Sequence, residues 1–139
     1  QKKKRQSTEG GVWTEFKKRL KTYNAKILTT RIETWATPGV PDVCAMDEAG
    51  QFHFIELKHL AGNRMNLRPA QVSWLTKHKA GSVWVLARQD VKRTATWKIC
   101  LFGPDKAVDL ALEKFDEVTP DYELTDPDQW PELLDKIFS

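Results

Sequence analysis

Asp42, Glu56 and Lys58 supply two carboxylates and an ammonium, a residue set suited to binding a divalent cation and cutting a phosphodiester. A hard cation such as Mg²⁺ or Mn²⁺ takes oxygen ligands, commonly one or two carboxylates completed by waters and substrate phosphate. Asp42 and Glu56 offer the carboxylates, and the backbone carbonyl of Leu57, between Glu56 and Lys58, offers a further oxygen. Such a cation polarises a phosphate and lowers the pKa of bound water, while an ammonium nearby offsets the negative charge that builds in the transition state. Lys58 stands in the right place for that role.

These groups converge only if the chain folds as a hairpin. Phe52 to Lys58 alternates as a strand, so Phe52, Phe54, Glu56 and Lys58 share one face and His53, Ile55 and Leu57 the other. Asp42 opens a second short apolar run, Val43 to Met46, and Asp47-Glu48-Ala49-Gly50 between them has turn composition. An antiparallel pairing of the two runs returns Asp42 toward Glu56. The alternative is a surface hairpin whose Glu56 and Lys58 form an ordinary ion pair, worth little in water. Against it stands the setting: both charges end an otherwise apolar strand, where ionised groups are costly unless paired or metal-bound.

The elements around the hairpin follow from pattern. Trp13 to about Asn24 predicts a helix carrying Phe16, Leu20 and Tyr23, and Thr29 to Trp35 is extended. His59 to Leu67 reads as a loop in which Arg64, together with Arg68 just beyond it, is placed to grip phosphates. Pro69 starts a helix to about Ala80 with Gly81 as its stop; Trp74 on it is assigned to the core rather than to base stacking. Ser82 to Arg88 and Thr94 to Phe102 read as strands joined by a turn near Gln89 to Arg93. Lys106 to Phe115 has helical spacing, and Asp128 to Phe138 predicts a last helix with Asp128 as N-cap, packing on the sheet or on a second copy. The order of elements gives an α/β fold: a central mixed β-sheet flanked by helices.

Gly39-Val40-Pro41-Asp42, Glu56-Leu57-Lys58 and the Gln71 helix together resemble the PD-(D/E)xK nuclease superfamily, and within it the VRR-NUC-like and archaeal Holliday junction resolvase branches. The match spans roughly residues 12 to 88. The resemblance implies a restriction-endonuclease-like core in which Asp42 and Glu56 hold Mg²⁺ or Mn²⁺, Lys58 assists catalysis and Gln71 orients site groups. A first-helix Glu often completes such sites; here it falls on Glu15, with Glu33 as the alternative. The resemblance further implies an endodeoxyribonuclease acting on DNA, with branched junctions and a homodimer as the specific expectation. The rivals are a DNA-degrading or restriction-type enzyme of the same fold, and a non-catalytic DNA-binding module.

Composition sets the bounds. A chain of 139 residues, 40% hydrophobic with six Trp, supports one core, expected over residues 11–139 with a helical C-terminal extension behind a flexible basic tail at 1–10. Cys44 and Cys100 lack paired spacing and read as buried free thiols, suited to the reducing cytoplasm of a bacterial or phage-infected cell. His53, His59 and His78 show no zinc-ligand spacing. No organic cofactor and no membrane span are expected. Net charge is only +3, but the front of the chain is basic, including Lys17 and Lys18 as nucleic-acid contacts, and the back is acidic.

Overall fold

The computed structural model describes residues 9–33, 36–91 and 93–139. A six-stranded sheet in the order β1-β2-β3-β4-β5-β6 lies between two helical layers. In chain order the elements are α1 (Glu9–Tyr23), β1 (Leu28–Arg31), β2 (Val43–Met46), β3 (Phe52–Leu60), α2 (Pro69–Lys77), β4 (Ser82–Val91), β5 (Thr96–Phe102), α3 (Ala107–Leu112), β6 (Tyr122–Leu124) and α4 (Trp130–Phe138). The expected α/β architecture with a mixed sheet is present: β3 and β4 pair in parallel and every other neighbour is antiparallel. The basic run expected as a tail lies mostly outside the described residues, and its last two positions, Glu9 and Gly10, already belong to α1.

Period-two alternation divides the central strands between two cores. Ile55 and Leu57 of β3 and Leu86 of β4 face a cluster with Val12, Phe16 and Leu20 of α1 and Trp130, Leu133, Leu134 and Ile137 of α4. Val83, Val85 and Ala87 face the other cluster, with Leu75 of α2 and Ala107 and Leu110 of α3. A parallel pair joined through α2 needs cover on both faces, which explains why β3 and β4 are buried on both sides while the edge strands β1 and β6 are short. Each fully buried side chain of this kind contributes roughly 1.5–3 kcal/mol. Of the two expectations for α4, packing on the sheet is the one observed, and the Tyr23 hydroxyl donates to Asp135 at 2.6 Å to tie α4 to α1.

Several boundaries differ from the sequence expectation for identifiable reasons. The loop assigned from His59 starts later, because β3 continues to Leu60. β4 continues through the assigned turn to Val91: Asp90 is satisfied by His59 Nε2 at 2.6 Å and by Arg88 at 3.1 Å, which lets polar residues stay in the strand. α2 ends at Lys77, where His78 stacks on Trp74 at 3.8 Å and contacts the Trp74 carbonyl through Nδ1 at 2.7 Å. The helix expected over Lys106 to Phe115 is confined to Ala107–Leu112, with 3₁₀ turns at Pro104–Lys106 and Phe115–Glu117. Asp126, not Asp128, caps the final helical segment, accepting from the Asp128 amide at 2.9 Å. Cys100 is buried as expected, but Cys44 is only partly so. No helix among the described residues is long and apolar enough to cross a membrane.

The β2–β3 hairpin is pinned at its turn. Asp47 Oδ1 accepts from the Ala49 and Gln51 amides at 2.9 and 3.0 Å, and Gly50 takes φ +83°, a conformation open to glycine without strain. Buried His53 joins this turn to β4, with Nε2 2.8 Å from Asp47 Oδ2 and Nδ1 2.6 Å from Ser82 Oγ. The hydrogen bond from His53, with the amides of the turn, holds the Asp47 carboxyl below its ordinary pKa.

Candidate active site

The register Val43↔Ile55 places Asp42 opposite Glu56, one step beyond the last ladder pair. Pro41 precedes it, buried and without an N–H, so β2 cannot continue its ladder along β3 in that direction. The chain peels away, and the Asp42 carboxylate takes the vacated position: its Oδ2 accepts from the Leu57 amide at 2.9 Å. On the other side, Asp42 remains joined to the outer strand region through its carbonyl, which accepts from Ile32 N at 2.7 Å. Because N–H and C=O of one strand residue point to the same side, the Leu57 carbonyl also faces the gap where β2 departs.

Glu56 and Lys58 rise on the same face of β3, as the alternation predicts, and both are buried, at 3% and 9% exposure. Lys58 Nζ stands 3.8 Å from Glu56 Oε2. Gln71, from the first turn of α2, donates through Nε2 to the same Glu56 oxygen at 2.8 Å, and its Oε1 accepts from the Arg68 amide at 2.9 Å. One buried amide therefore caps α2 and fixes the carboxylate. A carboxylate taken out of water needs such partners.

Asp42 and Gln71 line an open cleft of about 820 Å³ whose wall also includes Arg31, Glu33, Pro38, Gly39 and Arg68. Arg31 is the last residue of β1, and its guanidinium packs 5.5 Å from the Trp13 ring of α1 while Nε is buried without a hydrogen-bond partner. In the sequence Arg31 is one basic residue among many; the signal that sets it apart is its place in an extended run leading to the Pro-Gly loop.

The remaining candidates separate. Glu15 is engaged elsewhere: its carboxylate meets Arg19 at 3.1 Å and Arg88 at 3.4 Å. Arg88 is paired with His59, one residue beyond Lys58, so it projects from the opposite face of the sheet to Lys58. Glu33, the alternative, is the one that lines the cleft with Asp42. Arg68 lies on the cleft, whereas Arg64 donates to the Leu112 carbonyl at 3.2 Å and ties its loop to α3. Lys17 and Lys18 are exposed on α1, with Lys17 5.1 Å from the Trp13 ring.

The donor set fits a hard cation. Asp42, Glu56 and the Leu57 carbonyl would offer a cation oxygen donors alone, two from side chains and one from the backbone; no group of three or more His, Cys, Asp or Glu that could hold a metal occurs among the described residues. A cation held by two carboxylates and a carbonyl would keep the rest of its shell for water and substrate, as Mg²⁺ commonly does.

No family model and no curated protein matches this chain. Among solved structures it is similar to Archaeoglobus fulgidus Hjc, a Holliday junction resolvase from an archaeal hyperthermophile, at 17% identity over 86% of this chain and 92% of that one, with a TM-score of 0.43. At that score the likeness stands as a comparison alone, and the chemistry rests on the side chains.

Proposed function

We propose that the protein is a divalent-metal-dependent endodeoxyribonuclease of the PD-(D/E)xK type, hydrolysing DNA phosphodiester bonds. The observation that carries this reading is the Asp42 carboxylate anchored on the Leu57 amide opposite a buried Glu56 that is held by Lys58 and Gln71, with Asp42 and Gln71 lining one cleft. Mg²⁺ or Mn²⁺ bound by Asp42, Glu56 and the Leu57 carbonyl would supply charge neutralisation at the scissile phosphate and acidify a water. The Lys58 ammonium offsets the charge gained as the phosphate is attacked. Gln71 keeps Glu56 in one orientation, and Arg31 and Arg68 at the cleft engage flanking phosphates without reading sequence. Of the two candidate acidic residues outside the hairpin, Glu33 is taken to join the site, a choice supported by its position on the cleft wall with Asp42.

The finer reading takes branched DNA as substrate and a homodimer as the working form, since a two-fold enzyme presents two sites to a two-fold junction. It rests on the motif resemblance, as does a place in DNA recombination inside the cytoplasm. Labelled duplex DNA incubated with Mg²⁺, Mn²⁺ or chelator tests the general reading. Cutting that requires metal and disappears in Asp42→Ala supports it; DNA binding without cutting under any metal would make the protein a binding module instead.

A further inference from the structure

Gly39 lies where two parts of the site meet. Its φ is +89°, and an ideal Cβ built on it would stand 2.1 Å from the Ala70 carbonyl oxygen, 2.5 Å from the Ala70 carbonyl carbon and 3.0 Å from Gln71 N. Those three atoms are backbone of the first turn of α2, so no rotamer change relieves the collision. The loop before Asp42 therefore rests on α2 at a distance only a hydrogen permits, one residue from the Gln71 that holds Glu56. Gly50, in the turn of the adjoining β2–β3 hairpin, supplies the contrast: φ is +83°, and nothing lies within 4 Å of its ideal Cβ.

We infer that Gly39 is a positioning residue of the nuclease site, an assignment that rests on the function proposed above: its missing side chain sets the spacing between the loop that delivers Asp42 and the helix that delivers Gln71. A methyl group at this position must push the loop and α2 apart by roughly 1 Å, a displacement able to lower turnover about 100-fold. The displacement also draws the Asp42 carboxylate off the Leu57 amide, leaving that amide open to solvent.

The test compares Gly39→Ala with Gly50→Ala, which introduces a similar backbone conflict in the hairpin without a collision. Two quantities are read: metal-dependent cleavage of duplex DNA, and hydrogen exchange at the Leu57 amide against the Leu86 amide in the sheet core. Gly39→Ala is expected to lose about 100-fold in kcat and to speed exchange at Leu57 but not at Leu86; Gly50→Ala is expected to change neither. Where Gly39→Ala does not fold, Gly39→Asn carries the same test, because Asn tolerates the left-handed backbone and retains the collision. Wild-type exchange and turnover in the Gly39 variants would overturn the inference and leave the nuclease reading standing. Faster Leu57 exchange in a protein whose wild type never cuts DNA would support Gly39 as the spacer while removing the nuclease reading.

Discussion

Replacing Gln71 with Ala removes two hydrogen bonds from a residue only 5% exposed. The bond to Glu56 Oε2 at 2.8 Å joins a neutral amide to a buried carboxylate, a class worth roughly 1.5–3 kcal/mol. The bond from the Arg68 amide caps α2, and losing a cap removes typically about 1 kcal/mol. Together the expected loss is about 3 kcal/mol. For a 139-residue chain, an unfolding entropy of about 2.1 cal/mol/K per residue converts that loss to a fall in Tm of roughly 10 °C. Thermal unfolding in chelator measures the effect. With saturating Mg²⁺ the difference is expected to shrink, because a cation bound by Glu56 supplies part of the neutralisation the amide gave. A Tm within about 2 °C of wild type would show that Gln71 does not hold the carboxylate, and the scale of the reasoning would be refuted.

Three further outcomes are expected. Lys58→Ala should reduce cleavage at least 100-fold, on the order of an oxyanion donor's contribution, while DNA binding in chelator stays within a few-fold of wild type; unchanged turnover would end the role assigned to Lys58. Glu33→Gln should slow cleavage and Glu15→Gln should not, since only Glu33 lines the cleft with Asp42, and kinetics of the two variants side by side decide it. Asp47→Asn should destabilise the fold at neutral pH. A depressed carboxyl contributes its stability above the ordinary value of 3.8 and loses it as pH falls through the lower folded value. Urea melts should therefore show the gap between variant and wild type closing in strong acid, and a gap constant down to about pH 2 would contradict the His53–Asp47 pairing.

The hairpin and its charges were legible because a strand's period of two is strict: Glu56 and Lys58 had to share a face, and the Asp47–Gly50 turn had to return Asp42 to Glu56. Gln71 was legible through Pro69, which fixes where α2 begins. What local pattern does not contain is tertiary contact. Glu15 belongs to the right kind of helix, yet Val12, Phe16 and Leu20 fix which side of α1 meets the sheet, and on that side Glu15 finds Arg88 rather than Asp42. β4 looked finished at Arg88 because its polar residues have partners from β3 and α1, His59 and Glu15. β6, three residues between Pro120 and Asp126, is too short to show alternation and exists because β5 offers it an edge. Gly39 was visible as part of a motif, but the need for glycine there arises only when α2 arrives against it.

The most direct test of the account is cleavage of a labelled four-way DNA junction beside a matched linear duplex, in Mg²⁺ or Mn²⁺, with wild type and Asp42→Ala in parallel. Paired symmetric nicks on the junction, dependent on metal and lost in Asp42→Ala, are the predicted result. Intact junction and duplex under every metal condition, or cutting that persists in Asp42→Ala, would contradict it.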